Sequence, residues 1–221
     1  LAKIGADAFL EAMQDNVTEL AVASHAVAAV NKAMGALSIN GLSSTYVYAQ
    51  FGDHTMVPHL HPTSRRLMRG DLVSLNVFPV VWGYCAELER TFVYGDPTPQ
   101  IRRPLDAVNE AFDAGKAALK PGAVMADIDR LTRDILQKYD LVKYIRHGTG
   151  HAHGIMIGAA SREEKGELRL YNRTRLLPNM ANSVEPGVYI PGLGGFRHSD
   201  VLIVTERGAR CITDFPRDIG F

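Results

Sequence analysis

Apolar and polar positions along this chain follow two different periods, and the changes from one to the other mark out its elements. Ile4, Ala8 and Leu10 to Met13 recur at helical spacing and stop near Asn16. Thr18 offers an N-cap with Glu19 in the next turn, and Leu20, Val22, Val27 and Val30 carry a second helix to Gly35. Residues 44–50 are rich in β-branched and aromatic types and predict a strand. From Phe51 to Arg66 proline and glycine interrupt any period, so a loop is expected. Alternation returns at Leu72, with Val73, Leu75 and Val77 on one side and Ser74, Asn76 and Phe78 on the other. Pro79 and Gly83 break the run. Beyond them Cys85, Glu87, Glu89 and Thr91 share a face, against Ala86, Leu88 and Arg90. Two strands so close together predict an antiparallel hairpin.

The second half repeats this order coarsely. Ile101, Leu105, Val108, Phe112 and Leu119 predict a third helix, with Pro104 in its first turn and Lys120-Pro121-Gly122 at its end. Ile128, Leu131, Ile135 and Leu136 predict a fourth, from Asp127 to Tyr139. A strand is expected from Leu141 to Ile145, leading into a turn rich in glycine and histidine, residues 147–154. A polar, basic stretch runs from Ser161 to Arg175. Residues 182–190 and 195–204 read as strands, and Ala209 to Ile212 as a last short one. Two helices and then strands bearing acids thus occur twice. Helices and hairpins without strict alternation argue an α+β fold.

Composition narrows the possibilities. The 221 residues are 46% apolar and 22% charged, an ordinary soluble balance. Basic and acidic residues balance at 24 each, so neither nucleic acid nor an anionic membrane surface is an expected partner. No apolar run approaches a membrane span. Cys85 and Cys211 do not make a disulfide framework, which predicts a reducing, cytoplasmic setting. The chain starts at Leu1 in sequence that is already helical, so a fragment of a longer protein is expected.

The candidate chemistry lies in three places. Glu87 and Glu89 sit two apart on a strand and point the same way; if buried, each raises the other's pKa unless a cation or metal lies between them. Their apolar flanks favour a site over a solvated strand. The loop at 51–66 carries His54, His59 and His61 between two strands, a good place for chemistry, with His54 read as an ordinary surface residue. The glycine-rich turn carries His147, His151 and His153, and its glycines let the backbone approach a ligand. His61 and His153 are read as polar neighbours of the site, His25 as a helix-surface residue, Trp82 and Tyr84 as packing, and Cys85 as a small buried side chain.

Asn76, Glu87, His151 after a glycine, Glu185 in Glu-Pro-Gly, and Ser199 before Asp200 fall in order into a known pattern. Over nearly its whole length the sequence resembles the pita-bread family of creatinases, prolidases and methionine aminopeptidases. The resemblance implies that residues 1–221 form one catalytic domain. Its curved, mostly antiparallel sheet would be covered by helices, in two pseudo-two-fold halves. Metal-dependent members carry carboxylates where this chain has the neutral Asn76 and Ser199. Paired ions need bridging anionic oxygens, so no di-metal centre and no cofactor is expected, and Glu87, His151 and Glu185 would hold at most one weak ion.

Ser-Leu-Asn-Val-Phe-Pro at 74–79, Leu-Glu-Arg-Thr at 88–91, and His59 placed before Arg69-Gly70-Asp71 are similar to the metal-free creatinase branch. That branch implies His59 as general acid and base, Glu89 and Glu185 around a substrate guanidinium, and Arg162 on a substrate carboxylate. His151 is the rival for orienting water. Glu87 adds a negative charge to the pocket, Ser199 replaces a pocket histidine, His198 turns to the other face, and His147 is more like the prolidases. The catalytic group is thus expected at His59, Glu89, Glu185 and His151, with Arg162, Glu87, Ser199 and His147 binding substrate. The expected activity is metal-independent hydrolysis of a C–N bond in a guanidino or cyclic amidine acid of the creatine or ectoine type. The resemblance further implies a homodimer whose N-terminal domain, absent from this chain, closes the site. The alternatives are a metal-dependent Xaa-Pro peptidase with an altered ion site, or a catalytically silent binding module.

Overall fold

The computed structural model describes residues 1–39, 41, 43–155 and 166–221. Helices α1 (Ala2–Glu11) and α2 (Glu19–Ala36) form where the helical period runs. Thr18 caps α2, its hydroxyl accepting the Ala21 N–H at 3.2 Å and satisfying one of the donors a helix start leaves open. Ala6, Phe9, Val22, Ala26 and Val30 pack on Val73, Leu75 and Val77 of strand β2 (Leu72–Val81). Leu20, expected on that buried stripe, faces solvent.

β2 pairs antiparallel with β1 (Ser44–Phe51) on one side and with β3 (Tyr84–Cys85) and β4 (Leu88–Val93) on the other. The hairpin is tighter than expected. Pro79 lies inside β2, and only Trp82 and Gly83 make the turn, at φ 51° and 83°. Two successive left-handed residues are what a two-residue turn matched to strand twist requires. At that exposed tip Trp82 and Tyr84 pack little.

Helices α3 (Pro99–Ala118) and α4 (Met125–Lys138) open the second half. α3 begins two residues early, which moves Pro104 into its second turn. Strands β5 (Ala152–His153), β6 (Ala181–Val184), β7 (Gly187–Ile190), β8 (Gly194–Arg197), β9 (Ser199–Val204) and β10 (Ala209–Cys211) follow. Each long strand expected here is therefore cut in two, at Glu185-Pro186 and at His198. Pro186 has no N–H to continue a ladder, and β7 and β8 form their own ribbon. Val142–Tyr144 is a 3-10 helix rather than a strand, because the turn at Asp140 (φ 59°) bonds back onto α4.

The main sheet runs β1-β2-β4-β9-β6-β5, with β3 added beside β2 and β10 beside β9, so among the described residues each half contributes four strands and two α-helices on either side of a central seam. At that seam Glu89 pairs with Ser199 and Leu88 with Asp200. This is the α+β architecture of two similar halves expected from the sequence. Among the described residues no helix is long and apolar enough to cross a membrane.

Beneath the seam, on the helix side, Arg90 is fully buried. Its guanidinium bonds to the Glu89, Ser199 and Phe215 carbonyls and to Asp200 at 2.9 Å, and Lys116 adds a 2.7 Å contact to the same carboxylate. Residues on the opposite face are thereby fixed from below. His198 lies in this layer, beside the Phe112 ring. Burial holds its pKa well below the usual value, helped by the Arg90 and Arg217 charges. Its Nδ1 accepts the Thr91 N–H at 3.4 Å, which requires a neutral ring. Below a pH of about 6.5 the unfolded chain therefore takes up a proton that the folded one refuses, so stability falls as pH drops through that range. Thermal unfolding between neutral and mildly acid pH is expected to show this fall, and His198→Gln to flatten it.

Candidate functional site

Antiparallel register does most of the assembly on the concave face. Asn76 opposes Glu89, and Glu89 opposes Ser199, so one row crosses β2, β4 and β9. Glu87, two residues before Glu89, joins the same face. β6 ends by delivering Glu185, whose N–H bonds to the Thr149 carbonyl at 2.6 Å. The glycine-rich turn docks alongside, the His151 N–H donating to Ser183 Oγ at 3.0 Å. Gly150 permits that approach, since a Cβ there would overlap the Ser183 carbonyl.

On one side of the cavity stands His59, in left-handed backbone at φ 57°. Its ring stacks on Tyr48 at 5.3 Å and meets Phe78 edge-on at 5.3 Å, and its Nε2 lies 3.1 Å from Glu89 Oε1. The loop that holds it is tied down by Glu19, a buried carboxylate in the first turn of α2. Glu19 accepts from the Phe51 and Thr63 N–H groups and the Thr63 hydroxyl, and contacts His54 Nδ1 at 2.9 Å. His54 is thus a structural peg rather than a free surface histidine. His61 is exposed and touches the edge of Tyr48.

Glu89 and Glu185 converge, but on a residue that strand reading overlooks. Arg197 grips Glu89 with two nitrogens, at 2.5 Å each, and lies 3.6 Å from Glu185 and 3.4 Å from Asn76 Oδ1. Burial alone would lower its pKa, but the carboxylates, Glu89 foremost, raise it. Tyr189 stands beside this arginine, its own pKa raised by burial, and His147 Nε2 meets its hydroxyl at 2.9 Å. His147 therefore sits behind Tyr189, one side chain removed from the carboxylates. Arg197 had one signal in the sequence: it precedes Ser199 by two, the spacing that shares a strand face.

On the other side Glu87 is the hub. Its Oε1 accepts from the Ser199 hydroxyl at 2.5 Å, and its Oε2 lies 3.4 Å from His151 Nε2 and 3.2 Å from His153 Nε2. The two imidazoles stack at 4.7 Å, and Glu185 Oε1 is 3.4 Å from His151 Nε2. Burial alone would raise the Glu87 pKa, but the neighbouring histidines hold it well below the carboxylate range. Burial acts the opposite way on His151, and there the Glu87 and Glu185 charges win, raising it to about 9. Cys85, at the end of β3, is pushed up to about 12 by burial and by Glu87, so it is no nucleophile at neutral pH. Arg162 lies outside the described residues.

Three carboxylates therefore gather around one guanidinium and the His151 imidazolium, which leaves an excess of negative charge. A pair of divalent ions does not fit the cavity. The Asn76 amide is neutral and donates to the Tyr48 and Ser74 carbonyls, and the Ser199 hydroxyl is spent on Glu87. Neither supplies the anionic oxygens that two adjacent cations require.

A curved antiparallel sheet in two similar halves, with carboxylates and histidines gathered on its concave face, defines the pita-bread class. Metallopeptidase family M24 matches residues 1–206, and the chain belongs to that family. It is 34% identical to a creatinase from Bacillus sp. (strain B-0618), an alignment covering 98% of this chain and 54% of that protein. A putative dipeptidase of Bacillus subtilis (strain 168), YkvY, is 31% identical, with 99% and 58% covered. Among solved structures, an Xaa-Pro dipeptidase from Bacillus anthracis superposes with a TM-score of 0.88 at 31% identity, covering all of this chain and 60% of that one. The chain spans between half and two thirds of the length of these relatives.

Proposed function

We propose that this domain hydrolyses a C–N bond in a small acid bearing a guanidinium or amidinium, with His59 moving the proton. The observation that carries the reading is the resident Arg197. A planar, forked cation already lies between Glu89 and Glu185, so these carboxylates are shaped and charged for such a group. Three carboxylates against Arg197 and a charged His151 leave one negative charge over, which suits one further cationic group. In this mechanism a water oxygen adds to the amidine carbon and its proton passes to His59. The C–N bond then breaks, and the leaving nitrogen takes the proton back from the ring. Glu89, 3.1 Å from Nε2, orients the imidazole and stabilises its charged form. The shuttle needs no metal ion, and Arg162 is assigned to the substrate carboxylate.

A second reading, hydrolysis of Xaa-Pro dipeptides with a bound ion, is favoured by the Glu87–His151–His153 contacts and by the relatives named as dipeptidases. One screen separates the two. Guanidino and cyclic amidine acids, and separately Xaa-Pro dipeptides, are offered to protein treated with a strong chelator. Urea or ring-opened product at an unchanged rate is the expected result. Dipeptide cleavage that vanishes on chelation and returns with added metal would instead establish the peptidase.

A further inference from the structure

The geometry points to Asp129, on α4, as the residue that positions Glu185 for the substrate cation, acting through the glycine-rich turn and touching no substrate itself. That Glu185 takes up a cation rests on the function proposed above; the contacts that place it do not.

Asp129, Thr132 and Arg133 are spaced i, i+3 and i+4, so they share one face of α4. That face meets the back of the turn. Asp129 is 1% exposed. Its Oδ1 accepts both the Thr149 N–H, at 3.0 Å, and the Thr149 hydroxyl, at 2.8 Å. Its Oδ2 accepts from Arg133 Nε at 2.9 Å, and the far end of the same guanidinium donates to the His147 carbonyl at 3.2 Å. Carboxylate and guanidinium thus hold residues 147 and 149 together, and the Thr132 hydroxyl meets that of Thr149 at 2.5 Å. Gly115 on α3 leaves room for this layer, since a Cβ there would overlap Val184 and crowd Thr132 and Thr149.

What the clamp holds is a single hydrogen bond away from Glu185. The Thr149 carbonyl accepts the Glu185 N–H at 2.6 Å, and the His151 carbonyl accepts the Ser183 N–H at 2.8 Å. Those bonds lace the turn to the end of β6, beyond which Pro186 ends the ladder. His147, the other residue held, meets the Tyr189 hydroxyl at 2.9 Å. Leu168 secures the opposite edge of the turn. Its carbonyl shares the Thr149 N–H at 3.0 Å, and its N–H donates to the Gly150 carbonyl at 2.8 Å. These neutral backbone bonds set where the turn lies along β6. A charged acceptor that takes two donors of one residue also fixes how that residue is rotated, and charge-assisted bonds are roughly twice as strong as neutral ones.

The test is Asp129→Ala, which removes both bonds to Thr149 and frees Arg133, beside Asp129→Asn, which keeps the shape and removes the charge. Two readouts are taken on protein shown by circular dichroism to be folded. The first is NMR of the Glu185 amide, which is in a short bond in the native protein. Its proton should move upfield and lose protection from exchange, while the amides of β1 and β2 keep theirs. The second is steady-state kinetics on a guanidino or cyclic amidine acid. There kcat/KM should fall roughly a hundredfold, the scale of a misplacement of about 1 Å, with most of the loss in KM. A residue that only stabilised the fold would lower the active fraction, and so kcat, at unchanged KM and with the Glu185 amide in place. Asp129→Asn should shift both readouts in the same direction by less, and it decides the matter if the alanine variant does not fold. An unmoved Glu185 amide overturns the inference whatever the kinetics. A displaced amide with KM unchanged leaves Asp129 as the residue that places Glu185, and removes Glu185 from the substrate cation, which is a failure of the function proposed above.

Discussion

Replacing His59 with alanine is expected to lower turnover by at least about a hundredfold while leaving substrate binding largely intact, the low end for a general acid–base residue. Hydrolysis of a C–N bond takes one proton from water and returns one to nitrogen. The cavity's carboxylates are poor carriers for it: Glu89 is locked to Arg197, Glu185 lies between Arg197 and His151, and Glu87 is held by Ser199. His59 is different. It is partly open, gripped by Tyr48 and Phe78, and touches a carboxylate that stabilises its charged form. The comparison is His151→Ala, measured for kcat and KM under the same conditions. Turnover retained without His59 and abolished without His151 would transfer the shuttle to His151 and end the mechanism proposed here.

Arg197→Met is expected to destabilise the fold by roughly 3–5 kcal/mol, the range for removing one partner of a buried ion pair. The side chain is 7% exposed and grips both oxygens of Glu89, which also lies 3.1 Å from His59. Without Arg197, the buried Glu89 and Glu185 would lose the guanidinium that lies between them. Urea unfolding of Arg197→Met, Glu89→Gln and the double variant reads the coupling directly. The double variant should lose clearly less than the sum of the single losses. Strict additivity, or an Arg197→Met midpoint equal to that of the native protein, would show that the arginine contributes only packing.

The elements whose period was long and unbroken were the legible ones. α2, β2 and α4 appear within a few residues of where periodicity places them, because each buries one continuous apolar face. Less legible were the places where local chemistry and tertiary context compete. Pro79 looks like a breaker yet sits in β2, since the strand continues to pair with β1 and β3 around it. Residues 182–190 look like one strand and are two, because Pro186 ends the ladder. Of the site, Glu87, Glu89, His59, His151 and Glu185 could be picked out as residues, but not their partners. Nothing local marks Glu19 as the anchor of the His59 loop, or Tyr189 as the neighbour of Arg197. Glu19 acts across separations of 32 and 44 residues, and Tyr189 reaches Arg197 only through the pairing of β7 with β8.

The sequence alone indicated the class of fold, the nearness of Glu87 and Glu89, and the two neutral positions that set this chain apart from metal-dependent members. Each is a consequence of local rules: periods of 3.6 and 2, and the neutrality of Asn76 and Ser199. Only the tertiary structure decided which cation meets which anion. The seam between β4 and β9 brings Arg197 to Glu89, and the docking of the glycine-rich turn on β6 brings His151 and His153 to Glu87. Electrostatic pairing depends on distances of a few ångströms between residues far apart in sequence, and those distances are fixed by strand register and by packing beneath the sheet, not by any local pattern.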